Sequence, residues 1–165
     1  MIIIYDLDRT LLYSPIAMFL DRFRPRNLTL LKLYYKLYPA AYFLDTYLGL
    51  LKINTTMTKR IEMYHRYPHI QQIIVSARDD GLATYAQLAH IPNINYIQDV
   101  FLIAQAKTKY SKAAFLLDNY YSKANILMFD DSYLELSVVK RHFENATCIQ
   151  VNFKDKEEKL LGYVD

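Results

Sequence analysis

Tryptophan is missing from this chain of 165 residues, cysteine occurs once and glycine three times. The single Cys148 excludes an intramolecular disulfide framework and any multi-cysteine zinc site, and it fits a reducing compartment. With so few glycines and five prolines, collagen-like, flexible-linker and low-complexity architectures are excluded. Long apolar runs are lacking as well. The most apolar stretch, residues 28–53, is broken by Lys32, Lys36, Pro39, Asp45 and Lys52, whereas a membrane-spanning helix needs about 20 apolar residues in succession. No stable membrane insertion is expected, although peripheral attachment of the stretch stays open. The opening residues have neither the basic region nor the long apolar core of a secretory signal, so a cytoplasmic location is expected.

What is present is ordinary for a globular protein: 53% hydrophobic and 22% charged residues, with sixteen Tyr and eight Phe supplying aromatic bulk. The length suits one domain, or a core with one insertion. Charge is unevenly divided. Residues 11–68 hold nine bases against three acids, a net +6, while the remainder carries a net −3. Such an excess is either a solvated helical surface or a field that draws phosphorylated substrates. Phe19, Phe23, Tyr34, Tyr35, Tyr38, Tyr42 and Tyr47 lie among these bases. Helical spacing points to core packing; exposed, they could stack on a nucleobase.

Ile2, Ile3, Ile4 and Tyr5 form a β-branched run suited to a buried parallel strand, and it ends in Asp6, Asp8 and Thr10. Residues 14–67 read as helical, with helices starting near Ser14 and Pro15, at Asn27, at Pro39 and at Thr55 or Thr56. Strand character returns over 72–76, ending at Ser76, and again over 125–129, ending at Asp130 and Asp131. Residues 94–97 and 100–103 are weaker strands, and 147–151 is a last one. Helices are expected over 81–89, from Thr108 or Ser111 to about 119, and over 132–143, with residues 154–159 a solvated tail. This alternation implies right-handed parallel βαβ units: an α/β chain with a three-layer, Rossmann-like core and a central parallel sheet. Residues 1–13 and 68–165 would build that core, and 14–67 a small all-helical insertion.

In such a sheet the ligand crevice lies at the carboxyl ends of the strands. Asp6, Asp8, Asp130 and Asp131 would meet there, and four carboxylates repel one another unless a cation intervenes. Oxygen donors with open positions suit Mg²⁺, which keeps waters and takes one or two carboxylates together with phosphate oxygens. No Cys/His cluster argues for zinc, and His65, His69, His90 and His142 show no ligand spacing.

These residues resemble the motifs of the haloacid dehalogenase superfamily. Asp6-Leu7-Asp8-Arg9-Thr10 after an apolar strand is similar to its first motif, and Ser76-Ala77-Arg78 to its second. Lys112 fits the motif lysine at a helix start, and Asp130-Asp131-Ser132 the closing acid pair. The match covers residues 1–12 and about 70–151. Ser-x-Arg, the Lys112 spacing and Asp-Asp-Ser further resemble the phosphatase domains of polynucleotide kinase-phosphatases and related RNA-repair enzymes. Arg9 stands where Gly is common, and the helical insertion differs from those relatives.

The resemblance implies a Mg²⁺-dependent phosphatase acting on phosphomonoesters through an aspartyl-phosphate, the insertion serving as a cap. Asp6 would be the nucleophile and Asp8 the general acid and base. Thr10, Ser76, Ala77, Arg78 and Lys112 would bind the substrate phosphate, and Lys112 would also neutralise transition-state charge. Asp6, Asp8 through its backbone carbonyl, Asp130 and Asp131 would hold the metal. Lys107 and Lys109 compete with Lys112, Arg78 either clamps phosphate or fixes Asp131, and Asp131 either meets metal or caps the following helix. The substrate would be a phosphorylated small molecule or a nucleic-acid end phosphate, with no obligatory protein partner. The alternative is a non-catalytic phosphate-binding or regulatory protein on the same scaffold.

Overall fold

A computed structural model describes residues 1–23, 25, 27–104, 111–120, 122–153 and 157–161. The first strand, β1 (Ile2–Tyr5), lies inside a six-stranded sheet, because its β-branched side chains can be buried on both faces. Alternate residues point to opposite sides. Ile4 enters one apolar cluster with Ile73, Met128, Leu136 and Phe143, and Ile3 and Tyr5 enter the other with Ile74, Leu88 and Phe129. Helices therefore cover both faces, which gives the three layers expected from the alternating pattern.

β1 is flanked by β4 (Gln71–Ser76) and β6 (Ile126–Asp130), with Tyr5 in register with Ile74 on one side and Phe129 on the other. β5 (Asp99–Leu102) and β7 (Ala146–Asn152) extend the sheet at either side, all five strands running parallel. Lone Cys148 is fully buried on β7, opposite Met128. The register brings the ends of β1, β4 and β6 to one edge, and Asp6, Ser76 and Asp130 with them.

The insertion departs from the all-helical expectation. β2 (Leu12–Tyr13) pairs antiparallel with β3 (Lys52–Ile53), so a two-stranded stem carries the helices between. α1 (Pro15–Asp21) and α2 (Leu28–Tyr47) form their own cluster around Ala17, Met18, Ala41 and Tyr42. The N-terminus of α1 is held by a distant residue: the fully buried Asp45 carboxylate accepts from Ile16 N at 3.0 Å and Ala17 N at 3.2 Å. A carboxylate on those orphan donors stabilises a helix start by about 1 kcal/mol.

Pro39 does not begin a helix but lies within α2. An interior proline costs roughly 3 kcal/mol. Here the edge-to-face ladder of Tyr34, Tyr38 and Tyr42 runs past it, with centroids 5.2 and 5.6 Å apart, so one packed face spans the break. α3 (Thr55–His65) begins at Asn54, whose Oδ1 accepts from Thr56 N and Met57 N. It buries Met57 and Ile61 beside Ile3, Tyr5 and Ile74, so these side chains pack with the sheet.

Two further expectations are corrected. Residues 94–97 are not a strand: Ile94–Tyr96 is a 3-10 turn entered through left-handed Asn93 (φ 64°), and Tyr96 stacks on His65 at 3.8 Å. The tail is not wholly solvated. β8 (Glu157–Leu160) pairs antiparallel with β7, and Leu161 is buried in the core behind it. The remaining helices are α4 (Leu82–Leu88), α5 (Lys112–Asn119), capped by Ser111, and α6 (Tyr133–His142), capped by Ser132. The alternative start at Thr108 lies outside the described residues. Among the described residues, no helix is long and apolar enough to cross a membrane.

Candidate active site

At the carboxyl edge of the sheet, three buried side chains from three elements meet. Asp6 follows β1, Asp130 ends β6 and Lys112 opens α5. The Lys112 ammonium donates to Asp6 Oδ1 and to Asp130 Oδ2, each at 2.7 Å. Asp6 is 3% exposed, Lys112 5% and Asp130 not at all. Asp6 Oδ2 accepts from Thr10 Oγ1 at 3.5 Å, and Asp130 Oδ1 from Ser132 N at 2.8 Å. The rival lysines, Lys107 and Lys109, lie outside the described residues.

One ammonium does not balance this site. Asp131 adds a third carboxylate, with ligand atoms of Asp6, Asp130 and Asp131 all within 4.8 Å of one another. Burial pushes Asp6 up to about 7; Lys112 opposes the rise, and the charges of Asp130 and Asp8 add to it. Asp131 is pushed up to about 6, first by burial and then by Asp6, against the pull of Arg9. Burial works against the charge on Lys112, but Asp6 and Asp130 outweigh it and hold the ammonium more firmly protonated than usual. The donor set is all oxygen, rich in negative charge and clustered, which is what a hard divalent cation requires.

Asp8 stands apart from this trio. Arg78, buried at the end of β4, grips it with a two-pronged fork, Nε to Oδ2 at 2.9 Å and Nη2 to Oδ1 at 2.6 Å. Burial would raise Asp8, but the guanidinium prevails and holds it below the usual carboxylate range. Arg78 therefore fixes Asp8, and the alternative in which it fixes Asp131 is corrected. Asp131 instead lies 3.7 Å from Arg9 Nη1. Arg9 occupies a left-handed backbone position, φ 58°, which explains why glycine suits that place and what a side chain there gains in return. Asp131 does not cap α6, since Ser132 Oγ accepts from Glu135 N. Ser76 is buried, its Oγ accepting from Arg78 N at 3.4 Å, with Ala77 between them on the same turn.

The motifs do not reveal what holds Arg78. Gln87, fully buried on α4, accepts from Arg78 Nη1 at 2.7 Å and from Ser14 Oγ at 3.2 Å, and donates through Nε2 to the Tyr42 carbonyl at 2.8 Å. The Tyr42 ring lies under the guanidinium, 3.8 Å from its carbon, and the Tyr42 hydroxyl donates to Asp8 Oδ2 at 3.5 Å. The insertion thus contacts Asp8 directly through Tyr42, and through Gln87 of α4 it is tied to Arg78. A usable signal exists for Gln87: with Thr84 and Leu88 it falls on the buried face of α4, where a polar pair needs partners. Gln87→Leu takes a partner from Arg78, Ser14 and Tyr42 together, so urea unfolding is expected to show a loss of about 1–3 kcal/mol. An unchanged midpoint would mean that this node carries no stability.

Comparison with known proteins bears on the fold. No protein-family model matches the chain, and no curated protein sequence matches it either. Among solved structures, a beta-phosphoglucomutase-like protein from Thermotoga maritima superposes with a TM-score of 0.60 at 15% identity, over 88% of this chain and 83% of that one. A haloacid dehalogenase-like protein of unknown function from Agrobacterium tumefaciens superposes with a TM-score of 0.59 at 14% identity, over 91% of this chain and 82% of that one.

Proposed function

We propose, from the haloacid dehalogenase-like fold that this chain has, that it is a Mg²⁺-dependent phosphatase. Its substrate in this reading is a small phosphomonoester or a nucleic-acid end phosphate. One observation carries the reading: Lys112 bridges Asp6 and Asp130 beside Asp131 at the carboxyl edge of the sheet. A carboxylate beside a fixed ammonium, within a cluster that needs a cation, is equipped to receive a phosphoryl group.

An oxygen of Asp6 would attack phosphorus and form an aspartyl-phosphate. Ser76, Ala77, Arg78 and Thr10 would bind the phosphoryl oxygens, while Lys112 offsets their charge. Asp8 would protonate the leaving oxygen and later take a proton from the hydrolytic water. The Arg78 fork favours the ionised Asp8, the form the second half needs. In the first half an incoming phosphate competes for the same guanidinium and frees Asp8 to carry a proton. Asp6, Asp130, Asp131 and the Asp8 carbonyl would hold Mg²⁺, which would supply charge compensation to the carboxylates and the phosphate. α1 and α2 are the cap in this reading, placed by Tyr42 over Arg78, and the compartment is the cytoplasm.

Hydrolysis of an aryl phosphate is expected with Mg²⁺, to vanish on chelation and to return when Mg²⁺ is restored. Absence of turnover on aryl phosphate, nucleotides, 3′-phosphorylated oligonucleotides, sugar phosphates and phosphoamino acids would overturn the reading. Phosphate binding under those conditions would then favour a non-catalytic sensor.

A further inference from the structure

α2 is apolar well beyond the face it buries. Tyr34, Ala41 and Tyr42 face inward and are buried. On the outside, Leu30, Leu37 and Leu44 recur every seven residues, which aligns them along the helix. They are 55%, 48% and 44% exposed, and Leu48 continues the line. Beside them Phe43 and Tyr47, 58% and 78% exposed, stack on each other at 6.3 Å. α1, packed against α2, adds Phe19, and Phe23 follows just after it, both more than half exposed and in edge-to-face contact at 5.1 Å. Single exposed apolar side chains need no account, whereas this concentration on one pair of helices does.

Charge decides among the occupants. The only acid in α2 is Asp45, fully buried on the N-terminus of α1, so no carboxylate lies on the outer face. Lys36 does, exposed and within the same arc. Between positions 14 and 53 six bases, Arg22, Arg24, Arg26, Lys32, Lys36 and Lys52, stand against the two acids Asp21 and Asp45. A second copy docked here would bring together two segments of net positive charge. A nucleic acid would answer the charge and leave the leucines in water.

We propose that the outer face of α2, with the exposed rings of Phe19 and Phe23, docks on an anionic lipid bilayer. Leucine and phenylalanine side chains would enter the headgroup boundary, tyrosine would sit at its level, and the bases would meet lipid phosphates. The association is peripheral, in keeping with the lack of a spanning helix among the described residues. Tyr42 and Gln87 lie on the opposite side of this helix, so docking leaves the crevice facing away from the lipid.

The test is flotation of the full chain with vesicles of phosphatidylcholine plus phosphatidylserine, and with phosphatidylcholine alone. Binding is expected to the mixed vesicles and to weaken with salt. The double variant Leu37→Glu/Leu44→Glu should bind at least roughly tenfold more weakly, and Lys36→Glu, which changes one exposed charge, roughly fivefold or more. Neither touches the crevice, so phosphate-ester hydrolysis, if the parent has it, should be unchanged. Flotation reads the surface without turnover, so its outcome is separate from that of the phosphatase reading. No binding to mixed vesicles would overturn the proposal. So would a dimer in light scattering that the double variant breaks, or oligonucleotide binding that Lys36→Glu weakens and the double variant does not.

Discussion

The Asp6→Asn protein is expected to remain folded and to lose aryl phosphate hydrolysis by roughly a thousandfold or more. An amide oxygen at this position is isosteric with the carboxylate but is no nucleophile toward phosphorus. Stability should move the other way. Asp6 titrates near 7 in the fold because burial and neighbouring acids disfavour its charge. A carboxyl raised in this way contributes stability below its unfolded value near 4, and that contribution is lost as pH rises through the folded value. The neutral amide removes the penalty at neutral pH, while Lys112 retains Asp130 at 2.7 Å. In metal-free buffer the urea midpoint of the variant should equal or exceed that of the parent. Undiminished turnover would refute Asp6 as nucleophile, and a collapsed midpoint would show that its charge is structural.

Lys112→Met has the opposite signature, losing activity and fold together. The ammonium is the shared partner of two buried carboxylates, and removing one member of a buried ionic cluster costs about 3–5 kcal/mol. Total stability is typically about 5–15 kcal/mol, so a large part of the margin goes. The loss should grow as pH rises through and above about 7, where Asp6 ionises in the parent with Lys112 beside it. Combining Lys112→Met with Asp6→Asn should recover part of the midpoint, because one of the stranded charges is then gone. A single variant as stable as the parent would mean that Lys112 does not hold the crevice together.

What could be read from residues alone follows from how local each signal is. A short apolar run that ends in acids reports both a buried strand and what lies at its end, so β1, β6 and their aspartates are visible without the fold. Ser111 and Ser132 mark helix starts for the same reason: a cap is decided within four residues. The partner of Arg78 is not local. Asp8, Gln87 and Tyr42 come from three separate stretches, and nothing in the spacing of Arg78 prefers Asp8 to Asp131. Pro39 misleads because a packed tyrosine ladder overrides the propensity of one residue. β8 misleads because three charged residues and a leucine become a strand only when a neighbouring edge is there to pair with.

The lone thiol of the chain gives a consequence of its own. Cys148 is fully buried on β7, between β6 and β8, and its surroundings push it up to about 11, mainly by burial. At neutral pH it is out of reach of an alkylating reagent and almost wholly unreactive. Covalent labelling can proceed only in the intervals when that side of the sheet separates. With one reporter in the chain, the labelling rate counts those openings directly and needs neither a substrate nor an added probe site.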